Sequence, residues 1–129
     1  MNQRERMLAG LPYKAWLDGL EEERIACKQK IYEFNHLPPT EQDKILELLK
    51  QLLGKTGEHV WIEAPFHCDY GWNIEVGENF FANYNLTLLD VGKITIGKNA
   101  QIAPNVSIYT AGHPIHPDSR NTGYEYGIP

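Results

Sequence analysis

The spacing of apolar residues changes near Gly54, which predicts a helical part followed by a part of another kind. Before Gly54 the spacing predicts three helices: a short one over 3–9, a second over about 14–34, and a third that starts after Thr40. Thr40 with Asp43 three residues later approaches a capping box, and Gly54 suits the position that ends the third helix. The second helix is expected to bury one face, formed by Trp16, Leu20, Ile25, Ile31 and Phe34.

After His59 the chain repeats itself with a period of 20 residues. The stretch IEVGENFFANYNLTLL, which starts at Ile74, aligns without a gap on ITIGKNAQIAPNVSIY, which starts at Ile94. Inside the repeat an aliphatic residue recurs at every sixth position, as at Val76, Ala82 and Leu88. A helix face cannot have this period, and Gly, Asn and Pro are too frequent for long strands. The pattern predicts a solenoid of short strands, with the aliphatic residues pointing inward.

The two periodicities predict a mainly β protein with an α-helical N-terminal segment. Residues 1–56 are expected to form the helical domain, and residues 57–129 the coils of the solenoid together with the loop that carries His113. Asn85 recurs one repeat later as Asn105, so it is assigned to the turns at the corners of the coil. Asn83 does not recur, because alanine stands 20 residues later, and it is therefore a candidate for function.

Composition and charge exclude some functions without selecting one. The net charge of −5 and the absence of a Lys/Arg cluster argue against nucleic-acid binding. No apolar run approaches the roughly 20 residues that cross a bilayer, and the N-terminus lacks the apolar core of a signal peptide. Cys27 and Cys68 form no motif, and a reduced pair in the cytoplasm is preferred to a disulfide.

Several stretches together resemble one family of enzymes. They are YEFNH, FHCDYGWNI, NFFANYN, LLDVGKITIG, IAPNVSIYTAGHPIHP and GYEYGIP. In order, and from Met7 to Pro129, the chain is similar to the maltose/galactoside O-acetyltransferases, which are hexapeptide-repeat acyltransferases, and it lies nearer their maltose branch. The resemblance implies a left-handed parallel β-helix, an N-terminal capping domain, and a homotrimer with active sites between two β-helices. It also implies acetyl transfer from acetyl-CoA to a hydroxyl, the 6-hydroxyl, of a maltose- or glucose-type sugar.

The resemblance further implies roles for five residues. His113, in TAGHP, would be the general base that takes the proton of the sugar hydroxyl, with no acyl-enzyme. Imidazole suits that role because it titrates near neutral pH. Asn83 and Asp90 would hold the acceptor sugar, and Arg24 would face the sugar site. From its residue type alone, Asp90 could equally cap a corner turn of the coil. Glu125 would orient the sugar or the imidazole.

Two positions depart from the family pattern. Phe81 stands where the galactoside branch has tyrosine, so a hydroxyl contact is lost there. An acidic residue of the relatives falls on Leu17, with Asp18 one position later, and Asp18 is therefore left out of the site.

A metal-dependent β-helix enzyme is the less favoured alternative. His113 and His116 have the spacing H-x-x-H, which could bind zinc. A zinc site needs three or four protein ligands, and the nearby His59 and His67 lack a suitable spacing. No metal is therefore expected.

The family pattern also bears on the C-terminal end. In the family, GYEYGIP leads into further coils, which carry most of the acetyl-CoA groove and the backbone donor for the thioester oxygen. Here the sequence stops at Pro129. We therefore expect a β-helix that is incomplete at this end, with the acetyl-CoA contacts mainly beyond Pro129. The alternative function is that of a truncated, inactive fragment that keeps only sugar binding or self-association.

Overall fold

A computed structural model describes all residues from 1 to 129. Three helices come first: α1 (Gln3–Leu8), α2 (Leu20–His36) and α3 (Gln42–Leu52). Eight short strands follow: β1 (Val60–Ile62), β2 (Phe66–Cys68), β3 (Ile74–Val76), β4 (Phe80–Ala82), β5 (Leu86–Leu89), β6 (Ile94–Ile96), β7 (Gln101–Ile102) and β8 (Ser107–Tyr109). The chain finishes with β9 (Ala111–Gly112), α4 (Pro117–Arg120) and β10 (Tyr126–Gly127).

Strands β1 to β8 form three parallel sheets, which are the three faces of a coil. Their orders are β1-β4-β7, β2-β5-β8 and β3-β6. Neighbouring strands pair at an offset of 20 residues, as Val60 with Phe80 and Ile74 with Ile94. This register confirms the predicted 20-residue repeat and the parallel β-helix.

The interior and the corners of the coil also follow the sequence pattern. Val76, Ala82 and Leu88 are buried, as the period of six predicts. At one corner Asn85 has a φ of 65° and donates from Nδ2 to Oδ1 of Asn105, over 3.0 Å. Asparagine tolerates this left-handed conformation better than other non-glycine residues. The structural assignment of Asn85 is therefore confirmed.

The helical part differs from the prediction at the starts of helices α2 and α3. Helix α2 begins at Leu20 rather than near residue 14, because Asp18 and Gly19 have φ values of 58° and 81° that no α-helix contains. Ile25 is 58% exposed rather than buried, because the buried face of α2 is formed by Leu20, Cys27, Ile31 and Phe34. Trp16 lies before the helix and is 46% exposed. Helix α3 begins at Gln42 without a side-chain cap, so the predicted capping box is wrong.

Glycine is needed at position 54 because of close packing and not, as predicted, to end helix α3. Helix α3 ends through Leu53, which has an extended backbone. A Cβ on Gly54 would lie 2.1 Å from the backbone oxygen of Trp72. Only glycine lets the chain pass this close to the coil.

The helices cover the first turn of the coil and share its core. Helix α2 packs on β2 and helix α3 on β1. The Asn35 side chain bonds to both backbone groups of Phe66, at 3.0 and 2.9 Å, and so satisfies the open edge of β2. One apolar cluster includes residues of α2, α3 and the strands. The division into domains at residues 56 and 57 stays a prediction.

The two cysteines meet at the contact between helix and coil. Cys27 on α2 and Cys68 on β2 are buried free thiols, with their sulfur atoms 3.6 Å apart. The hydrogen bond with the Cys27 thiol, followed by burial, raises the pKa of Cys68, so Cys68 stays protonated and unreactive at neutral pH. None of the four helices is both long and apolar enough to cross a membrane.

Candidate functional site

One corner of the coil is built around a buried carboxylate. It comprises the stacked turns 69–73 and 90–93, and we name it the polar corner. Asp90 is fully buried there. Its Oδ1 accepts the backbone N–H groups of Asp69 and Tyr70, both at 2.9 Å, and its Oδ2 accepts that of Gly71 at 2.8 Å. Asp90 therefore fixes the turn that presents Tyr70.

This position corrects the expectation that Asp90 holds a sugar. No oxygen of Asp90 reaches solvent, so the side chain offers an acceptor no direct contact. Burial raises the pKa of the Asp90 carboxyl, and the backbone hydrogen bonds oppose that rise. The Asp90 carboxylate therefore contributes to the site by holding the turn 69–71 from the interior of the coil.

Arg24 and Glu125 come together in front of this turn. The Nη1 atom of Arg24 donates to the Tyr70 hydroxyl and to the Ala15 carbonyl oxygen, both at 2.8 Å. The Tyr13 hydroxyl donates to Oε2 of Glu125 at 3.2 Å, and the backbones of Tyr13 and Glu125 also pair, at 2.9 and 3.1 Å. We name Tyr13, Arg24, Tyr70 and Glu125 the front cluster. It joins the segment before α2, the polar corner and the C-terminal loop.

Tyr13 and Arg24 of the front cluster keep their ordinary protonation states at neutral pH. Burial, followed by the nearby Glu125 carboxylate, raises the pKa of Tyr13, so its hydroxyl remains a donor at neutral pH. Burial would lower the pKa of Arg24, but the hydrogen bond to Tyr70 and the negative surroundings leave it raised. The cluster therefore presents a fixed guanidinium beside a carboxylate.

The loop 113–125 carries His113 and Glu125 at its two ends. Strands β9 and β10 close its base by pairing antiparallel, with Gly112 opposite Tyr126. A Cβ on Gly112 would lie 2.4 Å from the Tyr126 ring, so a larger residue there would have to displace that ring. The His113 side chain is exposed and makes no hydrogen bond within the chain. Its imidazole is therefore free to meet a substrate.

His116 has a local structural role. Its Nδ1 accepts the Asp118 N–H at 3.3 Å and caps α4. No group of three or more His, Cys, Asp or Glu side chains is arranged to hold a metal ion.

Asn83 lies at a different corner, between the β1-β4-β7 and β2-β5-β8 sheets. Its Oδ1 accepts the Tyr84 N–H at 2.9 Å, and its side-chain nitrogen has no partner within the chain. Strand β5 separates it from the polar corner, and four extended residues span roughly 13 Å. One chain therefore does not bring Asn83 to the front cluster.

Asp69 is a candidate that the sequence analysis missed. It is half-buried beside Tyr70, and burial, followed by the Asp90 carboxylate, raises its pKa to about 6. Perturbed carboxyl groups concentrate at functional sites. The stretch CDYG could have indicated Asp69 as a candidate, since its carboxylate precedes an aromatic residue and a turn glycine.

We expect Asp69→Asn to change how stability depends on pH. The pKa of Asp69 is raised from 3.8 to about 6, so the folded chain keeps a proton that the unfolded chain releases, and stability falls as pH rises through this window. Asparagine does not titrate. As pH rises from about 4 to about 7, the free energy of unfolding of the variant should increase relative to that of the parent by on the order of 1 kcal/mol. This value is reduced to allow for the partial exposure of Asp69. Urea unfolding at both pH values measures this gain.

The matched control is Asp43→Asn, because Asp43 is exposed on α3 and its side chain makes no hydrogen bond or ion pair. Its stability difference from the parent should stay constant over the same pH range. Parallel pH profiles for Asp69→Asn and the parent would contradict a raised pKa at Asp69.

With the fold and geometry established, comparison with known proteins identifies similar chains. Residues 6–57 match the family model described as the maltose acetyltransferase hexapeptide capping motif. The galactoside O-acetyltransferase of Escherichia coli (strain K12) is 43% identical over 129 residues. That alignment covers 100% of this chain and 64% of the relative, so the chain spans less than two thirds of that protein's length.

Two solved structures share the fold over the whole chain. The crystal structure of a maltose O-acetyltransferase from Clostridium difficile 630 has a TM-score of 0.98 and 49% identity, and the chain covers 69% of it. The structure of a galactoside acetyltransferase in complex with coenzyme A has a TM-score of 0.96 and 43% identity, and the chain covers 64% of it.

Proposed function

Because the chain belongs to the maltose and galactoside O-acetyltransferase family of hexapeptide-repeat acetyltransferases, we propose that it serves acetyl transfer from acetyl-CoA to a sugar hydroxyl. The proposed acceptor is the 6-hydroxyl of a maltose- or glucose-type sugar. The observation that carries the proposal is the free His113 imidazole on a loop whose other end, Glu125, is fixed in the front cluster. The cytoplasmic location stays a prediction.

His113 is the proposed general base in a direct transfer. Its unprotonated ring nitrogen takes the proton of the sugar hydroxyl while the sugar oxygen attacks the acetyl carbonyl carbon. The carbon–sulfur bond then breaks, the coenzyme A thiolate leaves, and the imidazolium returns the proton to the sulfur. This sequence balances without an acyl-enzyme or a metal, and a positioned base of suitable pKa is its main requirement.

Arg24 and Glu125 are the proposed acceptor contacts at the polar corner. Arg24 uses Nη1 within the chain, which leaves its other N–H groups for sugar oxygens. Glu125 uses one carboxylate oxygen on Tyr13, which leaves the second to accept from a sugar hydroxyl. Asp69 lies next to the same surface and adds a further acceptor. Asp90 acts as a positioning residue through the turn 69–71.

We propose that a second copy of the chain completes the site. Asn83 and the front cluster face different corners, so both can contact one sugar only if a neighbouring subunit supplies Asn83. A homotrimer of left-handed coils packed side by side would place such corners together. Sedimentation of the purified chain tests this assembly, and a monomer under assay conditions would contradict it.

The function is tested on two proteins. One is the 129-residue chain, and the other is an extended protein in which the C-terminal part of the C. difficile maltose O-acetyltransferase follows Pro129. We expect the extended protein to acetylate glucose or maltose with acetyl-CoA, as measured by coenzyme A release and by mass spectrometry of the sugar. Release of coenzyme A without an acetylated sugar, or no release at all, would refute the proposed function.

In the extended protein we expect Arg24→Lys to raise the KM for the sugar about tenfold, with little change in kcat. Lysine keeps the charge, but it lacks the planar fork that bonds Tyr70 while it also contacts the sugar. Steady-state kinetics with varied sugar measures the effect. Arg6→Lys is the control, because the Arg6 side chain donates only to the Pro12 carbonyl oxygen. Equal KM values for the two variants would remove Arg24 from the acceptor site.

A further inference from the structure

The outer part of the loop 113–125 is not joined to the rest of the chain by hydrogen bonds. Residues 113–123 make hydrogen bonds only within the loop, and residues 115–123 are exposed. The antiparallel pairing of β9 with β10 closes the base of the loop, at Gly112 and Tyr126. The outer part must therefore be held in place by side-chain packing.

The Trp16 ring supplies such packing at the far end of this segment. Gly123 has a φ of 78°, and a Cβ there would lie 3.3 and 3.4 Å from Cζ3 and Cη2 of Trp16. Beside this contact, the Nζ atom of Lys14 lies 5.5 Å from the centre of the Tyr124 ring, which is a cation–π distance. Both contacts come from the segment before α2, so this segment meets the loop through side chains as well as through the backbone pair of the front cluster.

The backbone that carries Trp16 is itself fixed on both sides. The N–H of Lys14 donates to Oε1 of Gln3 at 2.6 Å. The carbonyl oxygen of Ala15 accepts from Nη1 of Arg24 at 2.8 Å. Trp16 therefore projects towards the loop from a rigid turn and not from a free strand of chain.

Hydrogen bonds inside the loop connect Gly123 to the surroundings of His113. The Arg120 N–H donates to the His116 carbonyl oxygen at 2.9 Å, and the Gly123 N–H donates to the Arg120 carbonyl oxygen at 3.1 Å. Residues 116–123 therefore form one hydrogen-bonded unit. Pro114 restricts the backbone between His113 and this unit. Strand β9 fixes the chain just before His113, and the unit 116–123 fixes the chain just after it.

We propose that Trp16 is a positioning residue, whose ring holds the unit 116–123 in place and so keeps the His113 imidazole in the direction of the acceptor. The inference rests on the proposed function for the role of His113. It goes beyond that function because it assigns a role to Trp16, which is not among the proposed contacts to the sugar. Loss of the ring frees only one side of His113, since β9 still fixes the other.

Cleavage of the 129-residue chain by trypsin after Arg120 tests the contact without any enzymatic activity. Trypsin requires this turn to open, so the cleavage rate reports how often the loop leaves the Trp16 ring. We expect Trp16→Ala to raise the rate about tenfold and Trp16→Phe, which keeps an aromatic ring, to stay within about threefold of the parent. Cleavage after Lys98, in the turn between β6 and β7, is the internal control and should not change. Mass spectrometry of the fragments gives both rates.

Kinetics of the extended protein test the positioning of His113. We expect Trp16→Ala to lower kcat about tenfold and to change the KM for the sugar less than about threefold. In the His113→Ala background the same substitution should lower kcat no further, because a positioning residue has no effect without the group that it positions. Tyr32→Ala is the matched control, since Tyr32 is 60% exposed on α2 and stacks on His36, and its kcat should stay within about twofold of the parent value.

Failure of this inference and failure of the proposed function give different results. Equal cleavage rates after Arg120 in Trp16→Ala and the parent overturn the inference, even if the extended protein acetylates glucose. An unchanged kcat in Trp16→Ala, or equal losses of kcat with and without His113, also overturns it, because the second result is that of a merely structural residue. Faster cleavage in Trp16→Ala, combined with an extended parent that does not acetylate sugar, overturns the proposed function and supports the hold of Trp16 on the loop.

Discussion

Replacement of His113 by alanine is expected to lower kcat of the extended protein about 10³-fold, within the range typical for loss of a general base. Without the imidazole, the sugar hydroxyl must lose its proton to water as it attacks the thioester. His113 makes no hydrogen bond within the chain, so its removal leaves the fold intact. The KM for the sugar should change less than about threefold, because the proposed acceptor contacts remain.

His116→Ala is the matched control for this prediction. His116 is exposed on the same loop, three residues later, and only caps the short helix α4. We expect its kcat to stay within about twofold of the parent value. A His113→Ala variant with unchanged kcat, or equal losses in both variants, would refute His113 as the base.

The repeat could be predicted from the sequence because one signal recurs at every coil. Val76, Ala82 and Leu88 each occupy the same inward position, and Asn85 pairs with its own repeat at Asn105. Such positions report local backbone geometry and core packing together. The family resemblance added the loop of His113, which has no periodicity of its own.

The helical part was harder to predict because its packing partners lie far away in sequence. Periodicity placed Trp16 inside a helix, yet the segment around it pairs with the loop 113–125, more than 100 residues later. Asp18 has positive φ and accepts the Gln3 N–H at 2.7 Å, which ends any helix before Leu20. These tertiary contacts override the local helical pattern.

At the polar corner, too, contacts between distant residues could not be predicted from the sequence. The resemblance pointed to Asp90 as a sugar contact and the residue type equally to a cap of a corner turn, but neither reveals whether the carboxylate faces solvent or the backbone. Its partners are N–H groups of a turn about 20 residues earlier, and backbone groups have no sequence signature. Asp69 was missed for the related reason that its raised pKa arises from burial and from Asp90.

The second large effect is expected from Asp90→Ala, which should lower the free energy of unfolding by about 4 kcal/mol. The variant leaves the N–H groups of Asp69, Tyr70 and Gly71 in a buried corner without their acceptor. Unsatisfied buried donors cost about 1–3 kcal/mol each, and partial relaxation of the turn keeps the total below their sum. Equilibrium unfolding in urea, followed by circular dichroism, measures the loss.

Two further variants separate support of the turn from contact with the sugar. Asp90→Asn keeps one carbonyl oxygen as acceptor, so it should lose about half as much stability as Asp90→Ala. Asp43→Ala removes an exposed carboxylate on α3 and should change the unfolding free energy by less than about 0.5 kcal/mol. If Asp90 instead bound the acceptor directly, Asp90→Ala would raise the KM for the sugar without a change in unfolding. Its full burial and its three backbone donors predict a loss of unfolding free energy instead. The side chain cannot leave the turn to reach a ligand without leaving those donors unpaired.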